Sequence, residues 1–160
     1  MNSVAQQFLQ EDVTTNYARF LDPQGNADSL DQLNSLSVND LFDQPIANQS
    51  MASCCKSGLW LLNNFLHESH EISQSIDSAT GSWWHAIMHR TEGDFSNSKY
   101  WYRRAGDHEA MDEIEADFDP FGFVDQCQHD YRKGALTDET QSVALAEWKA
   151  LFDFCYRNSQ

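Results

Sequence analysis

The chain of 160 residues carries 10 Lys+Arg against 25 Asp+Glu, a formal charge of −15 with histidine neutral. That balance argues against nucleic acid and against an anionic membrane surface as partners, because both are held by clustered Lys and Arg. The length fits a single domain, residues 1–160, and a chain of this size buries roughly 70% of its unfolded surface, enough for a core without disulfide or metal staples.

Five Trp, five Tyr and ten Phe supply the apolar surface, each worth on the order of 1.5–3 kcal/mol when buried. Val and Ile, the residues strands prefer, are scarce. The expectation is an all-α fold, an irregular helical bundle. The first twelve residues show neither a basic region nor an apolar stretch, and the longest strongly apolar run, Leu59 to Leu62, is too short for a membrane span. The reading is a soluble, cytoplasmic protein. Cys54, Cys55, Cys127 and Cys155 contain no Cys-x-x-Cys pair and read as reduced, buried thiols.

In chain order, residues 1–46 read as short helices wrapping a helical body, 47–160. They are punctuated by the turn Asp22-Pro23-Gln24-Gly25-Asn26 and by Leu30, Leu33 and Leu36 at helical spacing. From Pro45 to about Ile76 the pattern predicts one long central helix, with Leu59, Leu62 and Leu66 along one face and Phe65 beside them. Asp77 to Gly81 reads as a connection, and Ser82 as the N-cap of a helix from Trp83 to about Thr91. Gly93 breaks the chain, Asp94 or Ser96 caps the next helix, Asn97 to Ala105, and Gly106 suits its C-terminal end. Asp107 to Asp119 holds seven acidic residues and no Lys or Arg, and Pro120 to Phe123 opens another segment. Thr137-Asp138-Glu139 starts a last helix reaching about Arg157, with Trp148, Leu151, Phe152 and Cys155 inward.

The middle of the chain holds the candidate chemistry. Projected at about 100° per residue, Trp83, Trp84, Ile87 and Met88 share one arc of their helix, and His85, His89 and Glu92 share another. Two histidines one turn apart can reach a single ion, and imidazole and carboxylate are ordinary ligands of zinc, iron, nickel or manganese. His70, on the face of Leu59 and Leu66, supplies a third, whereas His67 projects further round, near Trp60. Glu92 is then a fourth ligand or a general base. Ala86 follows His85, so the His-Glu-x-x-His metalloprotease motif is absent. The competing reading makes the three histidines hydrogen-bonded interface residues and Glu92 a solvated carboxylate.

A second feature is basic. Arg90, Lys99, Arg103 and Arg104 fall within residues 90–104 with only Glu92 and Asp94 as acids, so 4 − 2 gives +2 inside a −15 chain. Asn97, Tyr100 and Arg104, at spacings of three and four, line one side of a pocket suited to a small anionic molecule. The alternative is that these arginines pair with the acidic stretch 107–119. His108, just beyond Gly106, reads as a surface histidine, with a turn back toward an aromatic-walled cleft as the alternative. Gly-x-Ser-x-Gly is absent and the glycines are scattered singly, so neither a nucleophile elbow nor a phosphate-binding loop is indicated.

The stretch Trp84-His85-Ala86-Ile87-Met88-His89-Arg90-Thr91-Glu92-Gly93-Asp94, continuing through Asn97, Lys99, Tyr100, Trp101, Tyr102, Arg103 and Arg104, resembles a family of uncharacterised helical proteins of bacteria and fungi. The shared pattern is His-x-x-x-His-Arg-x-Glu-x-Asp-x-x-Asn-x-Lys-Tyr-Trp-aromatic-Arg, and Thr91 departs from it where relatives often carry a second basic residue. No activity is assigned to that family, so the resemblance implies a shared site and not a reaction. Taken together, the residues predict a metal-dependent enzyme with His70, His85 and His89 as ligands, Glu92 as the catalytic carboxylate, and Asn97, Lys99, Tyr100, Arg103 and Arg104 orienting a small anionic substrate. The competing class is a non-catalytic module that binds a small anion or a protein partner.

Overall fold

A computed structural model describes residues 25–114 and 117–160; the helices expected over residues 1–24 lie outside these. Among the described residues there are seven α-helices and no strand, the expected all-α single domain. They are α1 (Ala27–Ser35), α2 (Gln49–Leu62), α3 (Leu66–Ser73), α4 (Ala79–Glu92), α5 (Phe95–Ala105), α6 (Pro120–Lys133) and α7 (Asp138–Arg157). Short 3-10 turns at Val38–Leu41 and Glu109–Glu113 join α1 to α2 and α5 to α6. No helix among the described residues is long and apolar enough to cross a membrane.

The single long helix expected over 45–76 is instead two, and this corrects the sequence reading. Asn48 caps α2 by accepting the Met51 N–H at 3.2 Å. The helix ends at Asn63, and Asn64 takes a left-handed φ of 61° that turns the chain into α3. Asparagine visits that region more readily than other side chains, since its short amide tolerates it. The two helices fold back on each other, and the Ser57 hydroxyl bridges them by donating to the Ser69 carbonyl at 3.0 Å. α1 is pinned across this pair by the buried Lys56. Its ammonium donates to the carbonyls of Leu33 and Leu36, which a helix C-terminus leaves without intrahelical partners.

The central element is therefore α4 and not the 45–76 segment. Every residue from Thr80 to Thr91 is buried, and α4 packs against α2, α3, α5 and α7. Its N-cap is Ser78, whose hydroxyl accepts the Gly81 N–H at 3.0 Å, so the helix begins earlier than the Ser82 cap predicted. Gly81 lies against the preceding turn, where an added Cβ would stand 2.3 Å from the Ile76 carbonyl oxygen. Gly81→Ala is expected to cost about 1–3 kcal/mol in urea denaturation, because backbone and not a pliable side chain must give way. A neutral result would show that this turn relaxes freely.

The corner from α4 to α5 follows the local signals. Gly93 closes α4 at φ 91°, and Asp94 caps α5 by accepting the Asn97 N–H at 3.1 Å. The Ser98 hydroxyl then donates to the Ala86 carbonyl at 2.8 Å, locking the two helices side by side. α6 starts at Pro120, where the sequence opens a new segment, behind an Asp119 cap, and α7 starts behind Thr137, as the sequence predicts. Trp148, Leu151, Phe152 and Cys155 are all buried on α7. The four cysteines are free and buried.

Candidate metal centre

Two helices supply the imidazoles. On α4, the i, i+4 spacing stacks the rings of His85 and His89 at 4.7 Å between centroids and 28° between planes. From α3, His70 meets His85 at 4.5 Å and His89 at 5.6 Å, edge-on to both. One ring nitrogen of each histidine lies within 4.8 Å of the other two. His85 and His89 are buried, at 3% and 7% exposure, and His70 is half-buried.

The deepest of the three is also the least paired. The His85 ring stacks on Trp101 at 4.0 Å and 18°, and its Nδ1 is buried with no hydrogen-bond partner. A buried polar nitrogen without a partner costs about 1–3 kcal/mol, and protein interiors rarely tolerate one. Burial, then the neighbouring His89 and His70, hold the His85 imidazole down to about 3, so at neutral pH the ring is uncharged and one of its nitrogens keeps a lone pair.

That depression makes the apoprotein acid-labile. The folded pKa of His85 lies below its unfolded value of 6.5, so the unfolded chain binds more protons between those values. The associated stability is complete above pH 6.5 and is lost as pH falls towards 3. Between pH 7 and 4.5 the unfolding free energy of metal-free protein is expected to fall by about 2–3 kcal/mol from this group. His85→Gln should flatten that part of the profile in urea melts; an unchanged profile would assign the lability elsewhere.

His89 is oriented from both sides. Its Nδ1 lies 2.5 Å from Glu92 Oε1, so the proton sits on Nδ1 and is given to the carboxylate. That leaves Nε2 as an acceptor, and the Asn97 amide nitrogen approaches it at 3.1 Å. A carboxylate behind one nitrogen of a histidine is the arrangement that orients metal-bound imidazoles, and a metal at Nε2 would have to displace the Asn97 amide. A pocket of about 290 Å³ opens onto this group, lined by Leu66, His67, His70, Met88, His89 and Glu92. His67 therefore belongs to the pocket wall, beside His70 and His89.

The remaining sequence candidates are dispersed. Of Asn97, Lys99, Tyr100, Arg103 and Arg104, only Asn97 touches the histidine group. Lys99 pairs with Asp125 at 2.6 Å, and Tyr100 is 47% exposed beside Trp101. Arg104 stands over the Trp101 ring at 5.3 Å and faces Asp77 at 3.5 Å. Arg103 lines a separate cavity of about 450 Å³ with Tyr102, Met111, Phe118 and Phe121.

Arg90 is not a surface group at all. It is fully buried, its guanidinium 2.5 Å from Glu147 Oε2 and 4.6 Å over the Phe123 ring. The ion pairs made by Arg90, Lys99 and Arg104 run to Glu147, Asp125 and Asp77, all outside the acidic stretch; within that stretch Glu113 pairs instead with Arg157 at 2.5 Å. His108 is also buried, against the surface expectation. Its Nδ1 accepts the Ala110 N–H at 3.2 Å and its Nε2 lies 3.0 Å from the Thr80 hydroxyl. Trp83 and Phe154 flank its ring.

No protein-family model, curated protein or solved structure matches the chain.

Proposed function

We propose that His70, His85 and His89 bind one divalent transition-metal ion, drawn from zinc, iron, nickel and manganese, and that the chain is a metal-dependent enzyme acting on a small anionic substrate. The observation that carries this reading is the buried, partnerless Nδ1 of His85 beside two further imidazoles. Coordination would satisfy that nitrogen and remove the cost of burying it. Three histidine ligands leave a fourth position for water or substrate, and a bound ion would polarise whichever occupies it.

The pocket lining contains no Lys or Arg. An anionic group entering it would therefore be held by the ion itself, with Asn97 within reach of His89. Glu92 orients His89 through Nδ1 and also lines the pocket, which supports its role as the catalytic carboxylate. Lys99, Tyr100, Arg103 and Arg104 would act only at the periphery of such a substrate. The four free cysteines support a reducing, cytoplasmic setting.

The second reading, a non-catalytic module for a small anion, would use Arg103 in its separate cavity, where Asp107 and Asp119 line the same wall and oppose an anion. Elemental analysis of protein purified without a polyhistidine tag separates the two. About one equivalent of transition metal, with added zinc raising the melting temperature, is the expected result. Less than about a tenth of an equivalent, with no thermal shift from zinc, nickel or manganese, would overturn the metal reading. Stabilisation by phosphate or a dicarboxylate, lost in Arg104→Met or Arg103→Met, would then favour the binding module.

A further inference from the structure

α3 begins directly after the Asn63-Asn64 corner and carries two histidines three residues apart, His67 and His70, neighbours on a helical surface. Burial deepens from one to the next. His67 is exposed, His70 is half-buried, and His85 and His89 are buried. His67, His70 and His89 line the same pocket, whereas His85 does not reach its wall. Of the other lining residues, Leu66 and Met88 are apolar, and Glu92 already accepts from His89.

His67 is outside the three-histidine group, since that set consists of His70, His85 and His89 alone. A hydrated ion reaching a buried site sheds its waters stepwise, each replaced by a protein ligand on the way in. On the metal reading above, on which this inference rests, the pocket offers one exposed, uncommitted ligand for the first of those steps. We infer that His67 is the loading ligand of the centre. It captures the ion at the pocket mouth and passes it to His70, one helical step deeper, and releases it by the reverse route.

A group that acts only in transit changes both rates and leaves the equilibrium alone. Stopped-flow mixing of the metal-free full chain with zinc, followed by removal with a chelating dye, tests this. In His67→Ala, uptake and removal are expected to slow together by about tenfold with the dissociation constant within about twofold of wild type. His67→Asp, which restores a ligand atom, should recover the rates. Because His67 is exposed, neither substitution threatens the fold. Unchanged rates in His67→Ala would overturn the inference and leave the metal reading standing. So would a weakened affinity at unchanged uptake, which would make His67 a resting ligand. Failure of the wild-type chain to bind zinc would overturn both.

Discussion

Replacing Glu147 with alanine is expected to destabilise the fold by about 3–5 kcal/mol, because it strands a charged guanidinium in the core. Arg90 and Glu147 are both fully buried, on α4 and α7, at 2.5 Å. Glu147 also accepts from the Trp83 indole at 2.8 Å and from the Tyr102 hydroxyl, which itself receives a hydrogen bond from Arg90 at 2.6 Å. One carboxylate thus satisfies donors from three residues on two helices. The attraction within the pair is largely offset by the cost of dehydrating both charges, so the loss measured in Glu147→Ala reports mainly the unpaired Arg90. The double variant Arg90→Met with Glu147→Leu removes both charges and should recover the part of the loss due to the stranded guanidinium, while the Trp83 and Tyr102 donors still lack their acceptor. A double-mutant cycle by urea denaturation would therefore show coupling of several kcal/mol. A Glu147→Ala loss below about 1 kcal/mol would mean that water reaches Arg90.

This pair shows why the basic island was legible as a composition and not as a surface. Arg90 finds its partner 57 residues away, and nothing within residues 90–104 announces Glu147. Local chemistry was readable wherever one residue suffices to set the backbone: Gly93 with its positive φ, Pro120 at the start of α6, Thr137 before α7. It failed at the α2–α3 corner, where Leu59, Leu62 and Leu66 keep helical spacing straight across a break at Asn64. Projection through that break still put His70 on the inner side, where it meets His85, but did not place His67 on the pocket wall. His85 and His89 needed no such extrapolation, because one uninterrupted helix sets their spacing. Ser78 and Ser82 are equally good caps by composition, and the fit of Gly81 against Ile76 sets the start of α4 at the earlier one.

His85→Ala is expected to weaken zinc binding more than Glu92→Gln, by more than about 100-fold against about 10–100-fold, in competition with a zinc-binding dye. The order follows from what each group touches. On the proposed metal reading, His85 would contribute a ring nitrogen to the three-histidine group, so its removal would delete a ligand outright. Glu92 acts on His89, 2.5 Å from Nδ1, and holds the proton there, so that Nε2 keeps the lone pair that now faces the Asn97 amide. The glutamine amide still reaches Nδ1 but lacks the charge that favours this tautomer, so His89 is misoriented for part of the time and not lost. Circular dichroism separates this from misfolding, because His85 packs on Trp101 and its truncation opens a gap there. Equal losses in the two variants would make Glu92 a ligand in its own right. The carboxylate would then have to leave His89 on metal binding, and Nδ1 rather than Nε2 would be the nitrogen facing solvent in the loaded protein.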